Sequence, residues 1–352
     1  MSSIWFNQGY SSTRDAIVMI RAGAEGRVRL VASHVDPGAA VLEAADTGFA
    51  EPVFSRDRDD AYVDWCLGVC AERAIDLFVP QSRRGAVAAR IAEFAAIGTR
   101  VSVAAPAETL ALIDDKARFF QAATAIGIPM PWTREVGDVA GFDAAMTALA
   151  DAGLAACIKP PHGVFGAGFW RLDRQTTLFD TLMDAEAHVI APDIVRNAIA
   201  AATAPLRLLV LECLPGTEWS IDCVCDGGAL LVGVARRKDE RTQLLEVEGP
   251  IFDIARTVIA AFKLSGLINV QLKADAAGSP RLLEINTRMS GGCSYTTHSG
   301  VNLPWWHVAT ALGLATADDI PTPVGGAVVA PVAASVRIDQ PADEFDTVTA
   351  YA

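Results

Sequence analysis

The chain has no glycine-rich fingerprint in its first strand–helix turn, no paired C-x2-C motifs, no surplus of basic residues and no apolar run long enough to span a bilayer. Each absence removes a function class. The first turn reads Asn7-Gln8-Gly9-Tyr10-Ser11-Ser12. Without G-x-G-x-x-G a nicotinamide site there is unsupported. The seven cysteines are scattered, odd in number and not spaced for zinc, so neither a disulfide framework nor a zinc ribbon is expected. Buried thiols in a reducing compartment fit better. Lys and Arg total 29 against 42 Asp and Glu, a net charge of −13. That balance argues against nucleic acid or an anionic membrane as partner. The N-terminus has no basic segment leading into an apolar run, so no secretory leader is expected and a cytoplasmic location is. No internal repeat is visible, and alanine richness is the only compositional bias.

What is present is a 352-residue chain, 51% hydrophobic and 20% charged, enough for two or three domains at roughly 150 residues each. Residues 1–105 alternate strand and helix patterns. Strands are expected at Ser3–Phe6, Val28–Ala32, Ile75–Val79 and Arg100–Val103, with helices at 14–20, 60–73 and 85–97. That order implies a parallel sheet with helices on its faces, a Rossmann-like α/β layer. Pro106 opens a new region with helices expected at 106–112 and 115–126, ended by Gly127-Ile128-Pro129. Residues 131–210 read as a mixed α/β segment, 251–264 as an amphipathic helix, and 316–352 as an extension with one strand, Val328–Ile338.

The most informative stretch is Gly266–Lys273 followed by Arg281–Arg288. Both segments alternate polar and apolar residues at period two, and Asp275–Pro280 between them carries turn chemistry, so a hairpin is expected. A register symmetric about the 277/278 bond sets Gln271 opposite Glu284 and Asn269 opposite Asn286, all on one face. Four oxygen-bearing side chains with one carboxylate form a hard-cation site, of the kind that holds magnesium together with a substrate phosphate. Arg288 follows, within reach of a transferring phosphoryl group. A merely solvent-facing hairpin explains less well why apolar strands end in Glu-x-Asn-x-Arg and then Ser290-Gly291-Gly292.

Other segments agree. Ala156–Lys159 is a strand ending in a lysine, followed by a loop carrying Gly163, Gly166 and Gly168 and a second strand at Phe169–Leu172. Such glycines admit phosphate oxygens to backbone N–H groups. Alone, this is also an ordinary hairpin. Leu209–Asp222 is a strand, a bent Pro-Gly linker and another strand, in which Glu218 could accept from ribose hydroxyls. Two solvent-facing glutamates are an even alternative. Asp114-Asp115-Lys116 opens a helix, and Lys116 is out of place at that dipole end unless solvated or set on a phosphate. Arg236-Arg237-Lys238, expected just after a strand at 229–234, could meet phosphate or a carboxylate or stand in a solvated loop. His162 and His298 lack matched partners and are not assigned.

In this order, Lys116, Lys159 with its glycine loop, Glu212 and Glu218, Gln271, and Glu284-Ile285-Asn286-Thr287-Arg288 resemble the ATP-grasp superfamily over about residues 106–315. A narrower likeness is to ATP-grasp proteins encoded beside tellurite-resistance genes. The resemblance implies an α/β and α+β architecture, a Rossmann-like layer (1–105) before a two-lobed ATP-grasp fold (106–315, with a lid at about 131–210) and an extension at 316–352. It implies ATP with magnesium, manganese being the alternative metal. Lys116 and Lys159 would contact phosphates under the loop of Gly163, Gly166 and Gly168. Glu212, Cys213 and Leu214 would meet adenine, and Glu218 ribose. Gln271, Glu284 and Asn286 would hold the metal, and Arg288 would steady the transferred phosphoryl group. Arg237 and Ser290-Gly291-Gly292 would face the substrate. Bulky Val164 and Phe165 depart from the family's glycine loop.

The activity so implied is an ATP-dependent carboxylate–amine ligase acting through an acylphosphate on small-molecule substrates, with a homodimer as the family's common assembly. A carbamoyl phosphate synthetase-like use of bicarbonate or carbamate is the first alternative, and a non-catalytic nucleotide-binding protein, which would be expected to lack Glu284, is the second. Acceptor specificity is placed in loops 8–13, 81–84, 236–243 and 290–300.

Overall fold

The computed structural model describes residues 1–9, 11–163 and 166–332, organised around three sheets. Strands β1 (Ser2–Asn7), β2 (Val28–His34), β3 (Thr47–Ala50), β4 (Leu77–Pro80) and β5 (Arg100–Val101) form a parallel sheet in the order β3-β2-β1-β4-β5. Helices α1 (Ser11–Ala24), α2 (Ala40–Ala44), α3 (Asp59–Glu72), α4 (Arg84–Ala89) and α5 (Ile91–Ala96) connect them. Because both faces are covered, β1 is apolar on both sides. Ile4 and Phe6 enter one core with Ile17 and Ile20 of α1. Trp5 enters the other and stacks on Phe78 with ring centroids 4.2 Å apart.

The α/β order is as expected, with local differences. The helix expected at 85–97 is broken at Arg90, whose backbone (φ −118°, ψ 23°) leaves the helical region. The strand expected at Arg100–Val103 shortens to two residues. Helix α2 and strand β3, five and four residues long, show too little periodicity to be read from sequence.

Helices α6 (Ala107–Asp114) and α7 (Lys116–Ala125) follow, parted by Asp115. Its carboxylate caps α7 by accepting from the Ala117 and Arg118 N–H groups at 3.0 and 3.2 Å. A second sheet, β6-β10-β7-β8-β9, comprises β6 (Thr133–Val136), β7 (Ala156–Lys159), β8 (Trp170–Leu172), β9 (Val189–Ile190) and β10 (Leu208–Glu212). Phe142 and Leu149 of α8 (Val139–Asp151) and Val195 of α10 (Pro192–Ala201) pack on one of its faces; α9 (Leu178–Met183) precedes α10.

The third sheet is antiparallel, ordered β15-β14-β11-β12-β13-β16. Its strands are β11 (Glu218–Asp226), β12 (Ala229–Lys238), β13 (Gln243–Glu246), β14 (Gly266–Ala274), β15 (Pro280–Asn286) and β16 (Val328–Val329), with α11 (Pro250–Ala261) and α12 (Leu303–Leu312) against it. On one face Ile221, Val270, Leu272, Leu282 and Ile285 pack with Phe252 and Ile259 of α11 and Phe120 of α7. The other face is divided. Val224 and Val234 join Trp305 and Val308 of α12 and, through them, the first layer. Glu218, Ser220 and Asp222 occupy the same face further back along β11, where it is polar. That polar half is the floor of the site.

Of the strand expected at Val328–Ile338, Val328–Val329 forms and pairs with β13; residues 333–338 lie outside the described residues, as do Val164 and Phe165. Among the described residues no helix is long and apolar enough to cross a membrane.

Candidate functional site

Strands β14 and β15 pair with Asn269 opposite Asn286 and Gln271 opposite Glu284, the expected register. Alternating burial pins it. Val270 and Leu272 are fully buried on the reverse face beside Leu282 and Ile285, and a slip of one residue would expose all four. Nearer the turn the symmetry fails. A bulge shifts the pairing so that Leu272 faces Leu282 and Lys273 faces Arg281. Leu283 is the extra residue, and it joins Glu284 in lining the cavity above the sheet. Asn286 donates its amide N–H to Glu284 Oε1 at 3.3 Å and to Asn269 Oδ1 at 3.4 Å, holding the polar set together.

That cavity, about 290 Å³, lies between the second and third sheets. The third sheet contributes Glu218, Gln271, Lys273 and Glu284; the other side supplies Lys116, Lys159, Gly163 and Gly166. Five separated segments of sequence, around residues 116, 159–169, 213–218, 271–273 and 283–284, thus meet in one place. Lys159, the last residue of β7, lies 4.7 Å over the Phe120 ring. Burial pushes its ammonium down to about 8, partly opposed by the Glu284 carboxylate and reinforced by the Lys116 charge. Lys116 ties α7 to the glycine loop. Its backbone N–H donates to Pro161 O at 3.0 Å and its Nζ to Gly163 O at 2.7 Å. The cation that sat oddly at a helix N-terminus therefore has a partner in that loop.

The linker between β10 and β11 forms the cavity's far wall through Cys213 and Leu214. It is held tightly. The Cys213 N–H donates to Ala155 O at 2.7 Å, and the Gly216 N–H to Ala274 O at 3.0 Å. A Cβ on Gly216 would lie 2.7 Å from that of Ala274, so only glycine lets the linker approach β14. The Glu212 carboxylate accepts from the Trp132 N–H at 3.2 Å. Glu218 reaches the cavity and is ion-paired with Lys238. Gly168 packs on the Pro160 ring, where a Cβ would meet Cδ at 2.8 Å.

The basic cluster differs from expectation. Arg236, Arg237 and Lys238 belong to β12 itself, not to a loop beyond it. Alternation along the strand sends Arg236 and Lys238 to the site face and Arg237 to the reverse face, where it pairs with Glu246 at 3.2 Å. Arg237 is therefore not brought to the substrate side. Arg236, 3% exposed, lies there instead in a saturated network. It donates Nε to Asp222 (2.8 Å), Nη2 to Ser220 (2.9 Å) and Ser290 (2.8 Å), and Nη1 to Gln243 (2.9 Å). Asn269 donates to Asp222 Oδ1 at 3.0 Å and Ser290 Oγ to the same oxygen at 2.6 Å. The network joins the floor to the Ser290-Gly291-Gly292 loop. A Cβ on Gly292 would fall 2.3 Å from Arg236 Nη1, and four hydrogen bonds hold that guanidinium still. Gly292→Ala should lower stability by roughly 1–3 kcal/mol, and differential scanning calorimetry would register the loss.

Arg288 lies beside rather than in the main cavity. With Arg84 and Thr287 it lines a smaller cleft against the first layer. Arg84 Nη1 donates to Thr287 O at 2.9 Å, and Arg288 Nη1 to Met289 O at 3.1 Å. Loops 8–9 and 81–84 open nearby on a polar crevice of about 500 Å³ at the carboxyl ends of β1 and β4. Gln8 and Arg83 hold left-handed backbone there, with φ of 43° and 50°.

A family model described as ATP-grasp in the biosynthetic pathway with Ter operon matches residues 205–334. About nine-tenths of the chain superposes on each of several solved structures. An L-amino acid ligase from Bacillus licheniformis is 15% identical, with 89% of this chain and 74% of that one covered and a TM-score of 0.61. An N5-carboxyaminoimidazole synthetase from Staphylococcus aureus is 11% identical, covering 91% and 80%, with a TM-score of 0.66. The biotin carboxylase domain of a Hydrogenobacter thermophilus 2-oxoglutarate carboxylase, solved with MgADP, ADP and bicarbonate, is 18% identical, covering 89% and 70%, with a TM-score of 0.59. Residues 205–334 thus match an ATP-grasp family, and the chain shares the fold of these enzymes.

Several residues of the cavity and its floor escaped sequence reading. Asp222 and Ser220 share a strand face with Glu218 at spacings of four and two, and Lys273 shares one with Gln271. Applying period two to β11 as well as to the hairpin would have found them. Leu283 carried no such signal, because a bulge is set by pairing and not by pattern.

Proposed function

We propose that this chain is an ATP-grasp enzyme, an ATP-dependent carboxylate–amine ligase that proceeds through an acylphosphate. One observation carries the reading: a single cavity has two lysines and a glycine loop on one side and the Gln271–Glu284 pair on the other. Cations and amide donors opposite a carboxylate–amide set suit a polyphosphate bridged by a divalent ion. Among the described residues no three His, Cys, Asp or Glu side chains converge on a metal position. The donors fit magnesium or manganese completed by phosphate oxygens, not a closed protein cage. Gln271, Glu284 and Asn286 would hold the ion, which when bound neutralises charge on the transferring phosphoryl group.

The chain's own residues would do the rest. Lys116 and Lys159 orient the phosphates, with Gly163 and Gly166 leaving room for close backbone approach. The backbone at Cys213 and Leu214 meets the base, and Glu218 meets the ribose, exchanging part of its Lys238 pairing. The second sheet, within residues 131–210, acts as a lid that keeps water from the acylphosphate. Arg288 and the Ser290–Gly292 loop face the acceptor, where positioning and charge neutralisation suffice without a protein nucleophile.

The test is ADP release by purified protein with Mg-ATP across amino acids, other carboxylates and bicarbonate, with hydroxylamine present. Carboxylate-dependent ADP with hydroxamate formation is the expected result. ADP release driven by bicarbonate alone would favour a carboxylating enzyme, and ATP binding without turnover across the panel would count against the ligase.

The buried lysine adds a pH signature. Free Lys159 loses its proton near pH 8, and a bound phosphate restores the charge. Nucleotide Kd should therefore be flat below about pH 7.5 and rise by up to about tenfold per unit above pH 8. Lys159→Met should weaken binding and abolish that slope; titration calorimetry at several pH values reads both.

A further inference from the structure

Cys213 lines the wall of the nucleotide cavity, and Cys157 lies behind it in the core. Cys157 lies on β7 opposite Leu211, and Cys213 extends the same ladder through its 2.7 Å bond to Ala155 O, two residues on and on the same face. The two side chains are diagonal neighbours on one face of that ladder, and Cys157 Sγ lies 3.8 Å from O of Glu212, the residue before Cys213. The two differ in access. Cys157 is 5% exposed in the core, whereas Cys213 is part-exposed and lines the cavity.

From this placement we infer that Cys213 and Cys157 are a peroxide-sensitive pair, with Cys213 the attacking thiol and Cys157 the resolving one, and that their disulfide closes the site to nucleotide. The inference rests on the nucleotide-cavity reading above. The chemistry balances. Cys213 thiolate attacks one oxygen of a hydroperoxide, the O–O bond breaks and hydroxide or alkoxide leaves, so sulfur is oxidised by two electrons to the sulfenic acid. Cys157 sulfur then attacks Cys213 sulfur; the S–S bond forms, the S–O bond breaks, and the hydroxyl departs with the Cys157 proton as water.

The electrostatics assign the roles. Cys213, beside the Cys157 thiol and facing Lys273 and Arg171, has its thiol pushed down to about 7 despite burial and the Glu212 charge. Cys157, beside Cys213 and the more enclosed, is pushed far up despite Lys159 and Lys273, so it keeps its proton until the second step. The disulfide would draw the β10–β11 linker toward β7 along the wall that meets the base.

The experiment compares fully reduced protein with protein treated with stoichiometric hydrogen peroxide. Peptide mapping under non-reducing conditions should find a Cys157–Cys213 crosslink, with ATP affinity weakened at least roughly tenfold and restored by dithiothreitol. Bound Mg-ATP should slow the crosslink. In Cys157→Ala the same treatment should leave Cys213 as a sulfenic acid that dimedone traps. No crosslink in the wild type, or a crosslink that leaves ATP affinity unchanged, overturns the inference. Reduced protein that binds no nucleotide overturns the cavity reading instead, with the mapping still deciding whether the thiols pair.

Discussion

Glu284→Gln is expected to leave the fold intact and slow ADP release by roughly a thousandfold, the equivalent of about 4 kcal/mol of transition-state stabilisation. Glu284 is the one carboxylate of the Gln271–Glu284–Asn286 set, so the substitution removes the whole formal charge on which a divalent ion would rest. Shape is preserved: the amide oxygen can still accept from Asn286. A second readout separates this from general damage. The Glu284 charge is what holds the Lys159 ammonium up against burial, so in the variant Lys159 should titrate below about 8 and the rise in nucleotide Kd should begin at lower pH. Steady-state turnover, a thermal melt and binding titrations across pH would check all three. Near-normal turnover would sink the metal assignment.

Asp222→Ala should cost about 3–5 kcal/mol of stability, because it leaves Arg236 charged and buried without its partner. Asp222 is fully buried and Arg236 nearly so, and the Nε–Oδ2 contact of 2.8 Å is one of several bonds that saturate the pair. Replacing both, as Asp222→Leu with Arg236→Met, should recover much of that loss, since an apolar pair needs no desolvation of charge. Activity should not recover. Ser290 bonds to both Asp222 and Arg236, and without them the Ser290–Gly292 loop loses its anchor to the floor. Denaturant unfolding of the single and double variants beside their turnover gives the comparison; a double variant that regains activity would show the network to be a packing device alone.

The hairpin was legible because one periodicity sorts its two faces: polar residues at 269, 271, 284 and 286 share the site face, with Gln271 and Glu284 lining the cavity, while 270, 272, 282 and 285 pack on the reverse face. Lys159 was legible only beside the other segments, since a strand ending in a cation before glycines is by itself also an ordinary hairpin. The first α/β layer followed from the alternation of apolar strands with longer helical stretches. Arg236 was not legible in the same way. Three consecutive basic residues look like a solvated run, and only the ladder of β12 against β11 reveals that alternate members point to opposite faces. The reach of Lys116 to the glycine loop joins residues 47 apart through tertiary packing, which no local pattern encodes. The break in the helix at Arg90, whose side chain pairs with Asp64 and Glu93, is announced by no breaker residue.

The bulge at Leu283 makes two properties of the hairpin separable. Pairing is regular on both sides of it, Leu272 with Leu282 toward the turn and Gln271 with Glu284 beyond it. Excising that one residue would therefore close the ladder without shifting any existing pair. The loss of a single codon could widen the pocket beside Glu284 while the carboxylate kept its place, so the size of the compartment and the seat of its charge are free to vary independently in lineages or in the laboratory.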